Sequence, residues 1–172
     1  MEVQSQVQEL ADAASEPLRE FASTLLAVFI HHGSCICLQI GDGAIITSVD
    51  GVVYKIAFWP QSGEYINTTN FLTDEGMPQA LAFSRSDNGV NECAVFTDGL
   101  ERLALHFDTQ SVHEPFFRPM FAALRSCADA EQLNTPLRQF LESSPVNDRT
   151  EDDKSLALAT RLGVESDAIA LH

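Results

Sequence analysis

Basic residues are scarce in this 172-residue chain, which has 10 lysines and arginines against 25 aspartates and glutamates. The formal net charge at pH 7 is therefore -15. An average surface of this charge repels phosphate backbones and anionic lipid headgroups. The composition thus argues against nucleic acid and membranes as partners. An acidic surface still attracts divalent cations.

Long apolar runs and dense cysteine spacings are also missing. The longest uninterrupted apolar run, Leu25 to Ile30, is far too short to span a bilayer, and residues 1–15 lack the basic start and apolar stretch of a signal peptide. We therefore expect a cytoplasmic protein. The cysteines stand in apolar surroundings without the spacing of a disulfide framework, which favours reduced, buried thiols. They are Cys35, Cys37, Cys93 and Cys127.

Several motifs of catalytic chemistry are absent as well. The sequence has no glycine-rich phosphate loop, and Ser23-Thr24 has no paired His and Asp at a catalytic spacing. One cluster, His31, His32, Cys35 and Cys37, contains transition-metal ligand types. Strand alternation sends the two histidines to opposite faces and both cysteines to one face, so at most three of the four converge. We interpret the cluster as a hairpin with two buried thiols, since zinc sites more often use Cys-x-x-Cys turns.

The pattern of apolar residues predicts an α+β fold in one domain, residues 1–172, with a hydrophobic content of 45%. Helices are predicted at 3–14, 15–22, 99–105, 116–127 and 130–142. Strands are predicted at 24–32, 35–40, 44–49, 52–59, 80–85, 90–96 and 154–160. Gly41-Asp42-Gly43, Asp50-Gly51 and Asn88-Gly89 indicate hairpin turns, which together predict an antiparallel meander.

Three acidic turns follow one another along the chain. An apolar run ends at Thr97-Asp98-Gly99, and an amphipathic stretch begins there, so the Asp98 carboxylate projects past the sheet edge beside unsatisfied backbone N–H groups. At such a position an acid either caps a helix or holds a metal. Asp42 lies in the upstream Gly-Asp-Gly turn and by itself is a hairpin residue. Asp152 lies in the downstream segment 150–155, which by itself is a solvated approach to the last strand.

The order of these motifs resembles that of the metal-dependent (PPM-type) Ser/Thr protein phosphatases, the protein phosphatase 2C family, in particular its compact bacterial branch. The matching stretches are FASTLLAVFI (21–30), LQIGDGAII (38–46), FWPQSGEYINTTNFLTD (58–74), AVFTDGLERLAL (94–105) and RTEDDKSLALA (149–159). The resemblance implies a sandwich of antiparallel sheets flanked by helices. It also implies hydrolysis of phosphoserine or phosphothreonine in a phosphoprotein substrate by a metal-activated water.

The resemblance also implies roles for individual residues. Asp98 and Asp152 match ligands of the family's two-metal centre, and Asp42 matches an acid associated with an additional metal site. Thr24 is expected to be a structural residue behind the site. Because hard oxygen ligands suit Mg²⁺ or Mn²⁺, one of these ions is the expected cofactor.

The chain departs from the family's pattern at two places. Before residue 21 it has neither the Arg-x-x-Asn-x-Asp-like motif nor the Asp-Gly-x-Gly-Gly turn, so we expect a fold incomplete at its N-terminal side relative to the family. Arg102 stands where the family often has a further acid, and we interpret Glu101 and Arg102 as exposed helix positions. Four hypotheses stand beside an active phosphatase: a fragment of a longer phosphatase, a fold completed by a partner or a second copy, a catalytically inactive phosphatase-like binding or regulatory module, and a generic acidic domain whose three Asp turns are coincidental.

Overall fold

The computed structural model describes residues 2–61 and 69–161. The helices are α1 (Glu2–Ala14), α2 (Met77–Ala80), α3 (Glu101–Ala104), α4 (Glu114–Ser126), α5 (Asn134–Leu141) and α6 (Ser144–Asn147). The strands are β1 (Leu25–His31), β2 (Ser34–Ile40), β3 (Ala44–Ser48), β4 (Lys55–Ile56), β5 (Ala82–Ser86), β6 (Glu92–Phe96), β7 (Leu105–His106), β8 (Ser111–Val112) and β9 (Leu156–Thr160). Short 3-10 turns occupy Leu18–Phe21, Asp98–Leu100 and Ala130–Leu133.

The strands form two main sheets, and every strand pair in them is antiparallel. The first sheet has the order β1-β2-β5, and the second has the order β4-β3-β6-β9. The strands β7 and β8 form a separate small hairpin. This arrangement confirms the predicted α+β class with antiparallel sheets.

The two sheets face each other across an apolar layer, and helix α4 covers the other face of the second sheet. Cys35 and Cys37 of β2 pack with Ile45 and Cys93 between the sheets. On the outer side of the second sheet, Phe96 packs with two phenylalanines of α4, Phe117 and Phe121. The result is the sandwich flanked by helices that the resemblance implied. The four cysteines are free thiols, of which Cys127 alone is not fully buried.

Two of the predicted hairpin turns instead carry the chain from one sheet to the other. Gly41–Gly43 joins β2 to β3, and residues 87–91 join β5 to β6, so these neighbouring strands do not pair. The meander is therefore wrong at both turns. The physical reason lies in β3, whose residues Ala44, Ile45 and Ile46 are fully buried. Such a strand needs a layer on each face, which the crossing into a second sheet provides.

The Gly41 turn is possible because nothing but glycine fits there. Gly41 has φ +101°, and an added Cβ would lie 2.3 Å from Cγ2 of Thr24. Thr24 therefore packs directly behind the Gly-Asp-Gly turn, as expected of a structural residue.

The Asp50-Gly51 turn does connect paired strands, but its second strand is shorter than predicted. Only Lys55 and Ile56 of the predicted strand 52–59 pair with β3. The Asp50 carboxylate accepts the N–H groups of Val52 and Val53 at 2.8 and 2.9 Å and so holds these residues in the turn.

The helices agree with the sequence pattern within a few residues at their ends. The predicted helix at 130–142 consists of a 3-10 turn followed by α5, and the one at 15–22 is reduced to the 3-10 turn Leu18–Phe21. The predicted helix at 99–105 corresponds to the 3-10 turn Asp98–Leu100 and α3. In the part of the chain that the structure describes, no helix is both long and apolar enough to cross a bilayer.

Candidate metal centre

The register between β3 and β6 puts two of the three acidic turns beside each other. Ala44 pairs with Phe96, Asp42 lies two residues before Ala44, and Asp98 lies two residues after Phe96. In an antiparallel pair such positions lie opposite each other at the end of the ladder. Close packing supports this placement, because an added Cβ on Gly43 would lie 2.7 Å from the carbonyl oxygen of Phe96. Asp42 and Asp98 thus occupy the same end of the second sheet.

Backbone contacts bring the third acidic turn to the same end. The N–H of Ser155 donates to Oγ1 of Thr97 at 3.0 Å, and the N–H of Thr97 donates to the carbonyl oxygen of Ser155 at 3.2 Å. An added Cβ on Gly99 would lie 2.3 Å from the carbonyl oxygen of Asp153 and 3.3 Å from that of Asp152. The segment that contains Asp152 is therefore packed against the turn that contains Asp98.

The Asp98 side chain itself is exposed at the mouth of this junction. Its Oδ1 accepts the N–H of the next residue, Gly99, at 2.8 Å. This bond is not a helix cap, because Thr97 is the N-cap residue of the 3-10 turn and no side chain caps that turn. The capping interpretation of Asp98 is therefore wrong, and its carboxylate keeps lone pairs for a cation.

A fourth acid joins the group, and it is one that the sequence analysis placed on the surface. Glu101, the first residue of α3, is partly buried, and its Oε1 is buried without a hydrogen-bond partner. Arg102 is exposed, as predicted. The spacing of Glu101 in the sequence could have indicated this position. Residues three apart in a helical turn lie on one face, and Glu101 is three residues after Asp98.

Two of the four acids, Asp98 and Glu101, have raised pKa values. Although Asp98 is exposed as a residue, partial desolvation of its carboxylate, together with the charges of Asp42 and Asp152, raises its pKa above its usual range. Burial, together with the charges of Asp42 and Asp98, raises the pKa of Glu101 to about 7. The three acidic turns predicted from sequence, and Glu101 with them, therefore form one electrostatically coupled group. A bound cation would reverse both shifts, because it favours the ionised carboxylates.

The donor chemistry of this group fits a hard divalent cation. All four side chains offer carboxylate oxygens, the ligands that Mg²⁺ and Mn²⁺ prefer. The Oε1 of Glu101 is buried and has no hydrogen-bond donor. Within residues 2–61 and 69–161, however, no three His, Cys, Asp or Glu side chains are arranged so that they could hold a metal ion. The carboxylates would have to move closer together to bind a cation.

The fold separates the histidines from the cysteines of the other candidate cluster. Cys35 and Cys37 lie on one face, as predicted, with their sulfurs 3.8 Å apart in the layer between the sheets. His31 and His32 lie at the exposed end of the hairpin. The hairpin interpretation with two buried thiols is therefore the correct one. Burial is the main reason that the pKa of Cys37 rises to about 12.

An apolar groove of the described chain lies apart from the acids. It has a volume of about 740 Å³ and is lined mostly by apolar side chains of α4, α5 and β9, among them Phe116, Met120 and Leu137. None of the four acids lines it. Its mostly apolar lining has few groups that could bind a phosphoryl group, so the acidic turns remain the candidate site.

Comparison with known proteins gives consistent matches. The family model described as "Protein phosphatase 2C" matches residues 1–142, a range that includes Asp42 and Asp98 and stops before Asp152. The chain is 41% identical over 152 residues to serine/threonine-protein phosphatase 3 of Escherichia coli (strain K12). That alignment covers 87% of this chain and 59% of the relative, so the chain spans less than two thirds of the relative's length.

Solved structures share the fold at low sequence identity. A serine/threonine phosphatase from Staphylococcus aureus superposes with a TM-score of 0.57 at 15% identity, over 94% of this chain and 65% of that one. A structure described as a bacterial serine phosphatase gives a TM-score of 0.56 at 14% identity, over 92% of this chain and 65% of that one. These likenesses concern the arrangement of sheets and helices.

Proposed function

Because the chain belongs to the protein phosphatase 2C family, whose phosphatases are metal-dependent, we propose that it hydrolyses phosphoserine and phosphothreonine esters in phosphoprotein substrates. The observation that carries the proposal is the register of β3 and β6, which ends in adjacent turns containing Asp42 and Asp98. The relative named as a serine/threonine-protein phosphatase supports the same substrate class.

In this proposal Asp98, Asp152 and Asp42 hold the cation, which is Mg²⁺ or Mn²⁺. A divalent cation supplies charge neutralisation at the phosphoryl group and makes water a better nucleophile. Without it, the group of acids would repel a phosphate dianion. Oδ1 of Asp98 accepts the Gly99 N–H, and the carboxylate keeps further lone pairs that would bind the cation. The hydrogen bonds between Thr97 and Ser155 hold the Asp152 segment in place.

The proposed reaction is a simple hydrolysis. A water oxygen forms a new bond to phosphorus, the bond from phosphorus to the serine or threonine oxygen breaks, and the leaving oxygen takes up a proton. Inorganic phosphate and the free hydroxyl side chain are the products.

The test is hydrolysis of a phosphothreonine peptide by the purified 172-residue chain with Mn²⁺, followed as phosphate release. Asp98→Asn and a sample treated with chelator should each abolish release, because both remove the cation from the reacting group. Asp108→Asn is the matched control, since Asp108 is an exposed acid in the loop between β7 and β8 and should leave the rate unchanged.

The possible results separate the hypotheses. Release that disappears with Asp98→Asn and with chelator supports the proposal. Folded protein with no release above the chelator sample refutes catalysis by this chain alone. Activity that appears only on co-expression with another chain would then indicate a completed site, and peptide binding without turnover would indicate a phosphatase-like binding module.

A further inference from the structure

Helix α5 has an apolar face that the fold leaves partly uncovered. None of its eight residues is buried, and the side chain of Phe140 is 41% exposed. The apolar face of an amphipathic helix normally packs on the core and is hidden from water. Helix α5 therefore lies beside the core without completing the contact that its sequence is suited to make.

The apolar groove described above lies between α5 and two other elements, α4 and β9. Its lining includes Leu137 of α5, Met120 of α4 and Leu158 of β9, and its volume is about 740 Å³. Protein interiors are close-packed, so an unfilled apolar space of this size is unusual. Small-molecule sites have volumes of about 300 to 1,000 Å³ and are mostly apolar. The groove thus has the size and lining of a site for an apolar molecule.

Secondary structure rather than loops forms the walls of this groove. Met120 and Leu158 also pack against the buried core cluster, which fixes the wall formed by α4 and β9. The rings of Phe116 in α4 and Phe140 in α5 have centroids 6.0 Å apart and connect the two helices. The groove is therefore formed before any ligand enters it.

The few polar residues of the groove indicate the chemistry of its ligand. They are His113, Asn134 and Arg149. The chain has 25 acidic residues, yet none of those that the structure describes lines the groove. Among the described residues, no carboxylate forms an ion pair with the exposed Arg149. A guanidinium matches the two oxygens of a carboxylate, so charge complementarity favours an acid as the polar end of the ligand.

We propose that the groove binds a long-chain carboxylate, with its alkyl chain between α4 and α5 and its carboxylate on Arg149. The apolar lining excludes water from the alkyl chain, and the arginine supplies the charge that the ligand needs at one end. None of the four candidate metal-binding acids takes part. The inference therefore goes beyond the proposed function and does not depend on it.

The test is isothermal titration calorimetry of the full chain with decanoate and with decanol, each below its aggregation threshold and at neutral pH. Arg149→Gln should weaken decanoate binding about tenfold or more, because a charge-assisted hydrogen bond is lost. It should leave decanol binding within twofold of the wild type, since decanol has no carboxylate. Arg138→Gln is the matched control, because Arg138 is exposed on α5 and does not line the groove.

A second variant and a series of ligands locate the alkyl chain. Ala123 lines the groove and is exposed on α4, so Ala123→Trp should fold and fill the space. It should weaken decanoate and decanol binding alike, by about tenfold or more. In the wild type, affinity should rise about tenfold from octanoate to decanoate and again to dodecanoate, because each step buries two more CH₂ groups.

Each outcome decides the inference, and phosphate release tests the proposed function separately. The proposal is supported if Arg149→Gln weakens only decanoate binding and Ala123→Trp weakens the binding of both ligands. It is wrong if the full chain shows no saturable decanoate binding, if Arg149→Gln has no selective effect, or if Ala123→Trp has none. Decanoate binding that appears only after residues 162–172 are removed would also refute it, because this chain's own end would then be the occupant.

Discussion

The contact between the Asp98 turn and the Asp152 segment predicts the effect of one added methyl group. In Gly99→Ala the new Cβ would lie 2.3 Å from the carbonyl oxygen of Asp153, far inside van der Waals contact. The obstructing atoms are backbone, so no side-chain rotation relieves the clash. The two segments must therefore separate by about 1 Å to reach an ordinary carbon–oxygen distance.

Overpacking of this kind costs about 1–3 kcal/mol. For a chain of 172 residues, each kcal/mol corresponds to about 2–4 °C in melting temperature, so a loss of about 2 kcal/mol lowers it by roughly 4–8 °C. Separation of Asp98 from Asp152 should also weaken Mn²⁺ binding. Both effects follow from the same displacement, and so they should appear together.

The assay combines urea unfolding and thermal melting in chelator with a Mn²⁺ titration. Gly76→Ala is the matched control, since an added Cβ there meets no atom within 4 Å and the residue has φ -78°. It should change stability by less than about 0.5 kcal/mol and leave Mn²⁺ binding intact. Wild-type stability in Gly99→Ala would refute the close packing of the two turns.

Two further predictions concern the buried polar groups. Tyr54→Phe removes the hydroxyl that donates to Oε2 of Glu92 at 2.6 Å. Because Glu92 is only 2% exposed, the free energy of unfolding measured in urea should fall by about 1.5–3 kcal/mol. An unchanged free energy of unfolding would contradict the importance of this bond. In chelator, the cation-free protein should lose stability as pH rises from about 5 to 8, because the folded state holds a proton on Glu101, whose pKa is about 7, while the unfolded chain has already lost it. After allowance for solvent screening, the loss of stability is about 1–2 kcal/mol. It is measured as the difference in stability between the wild type and Glu101→Gln at each pH. The comparison is needed because the pKa of His113 is lowered, so His113 makes the protein more stable as pH rises. A difference that stays flat across this range would contradict the pKa.

Local patterns in the sequence predicted most of the elements correctly. The spacing of apolar residues found α1, α4 and the strands β1, β2, β3 and β6 within a few residues. The turns that contain Asp42 and Asp98 were placed at strand ends because Gly and Asp interrupt apolar runs there. These features depend on neighbouring residues, which a sequence displays directly.

Strand partners could not be predicted in the same way. Gly41–Gly43 and Asn88-Gly89 look like hairpin turns locally, yet each crosses between sheets, because the partner of β3 is the distant strand β6. The role of Glu101 was hidden for the same reason. Asp42, whose charge acts on Glu101, lies 59 residues earlier in the chain, and no local pattern contains that information.

Because three of the four thiols are buried in the folded protein, the reactivity of the native cysteines can be used to follow unfolding. Cys35, Cys37 and Cys93 are buried in the folded protein, which shields their sulfurs from reagents. Burial also raises the pKa values of Cys37 and Cys93, so the thiols of these two residues are poor nucleophiles. Cys127 is only partly buried, and we expect it to be the thiol that reacts with alkylating reagents in the folded protein. A polyethylene-glycol maleimide should therefore alkylate one thiol in each folded molecule and four in each unfolded molecule. Gel mobility can then measure the unfolded fraction of any variant without an engineered label.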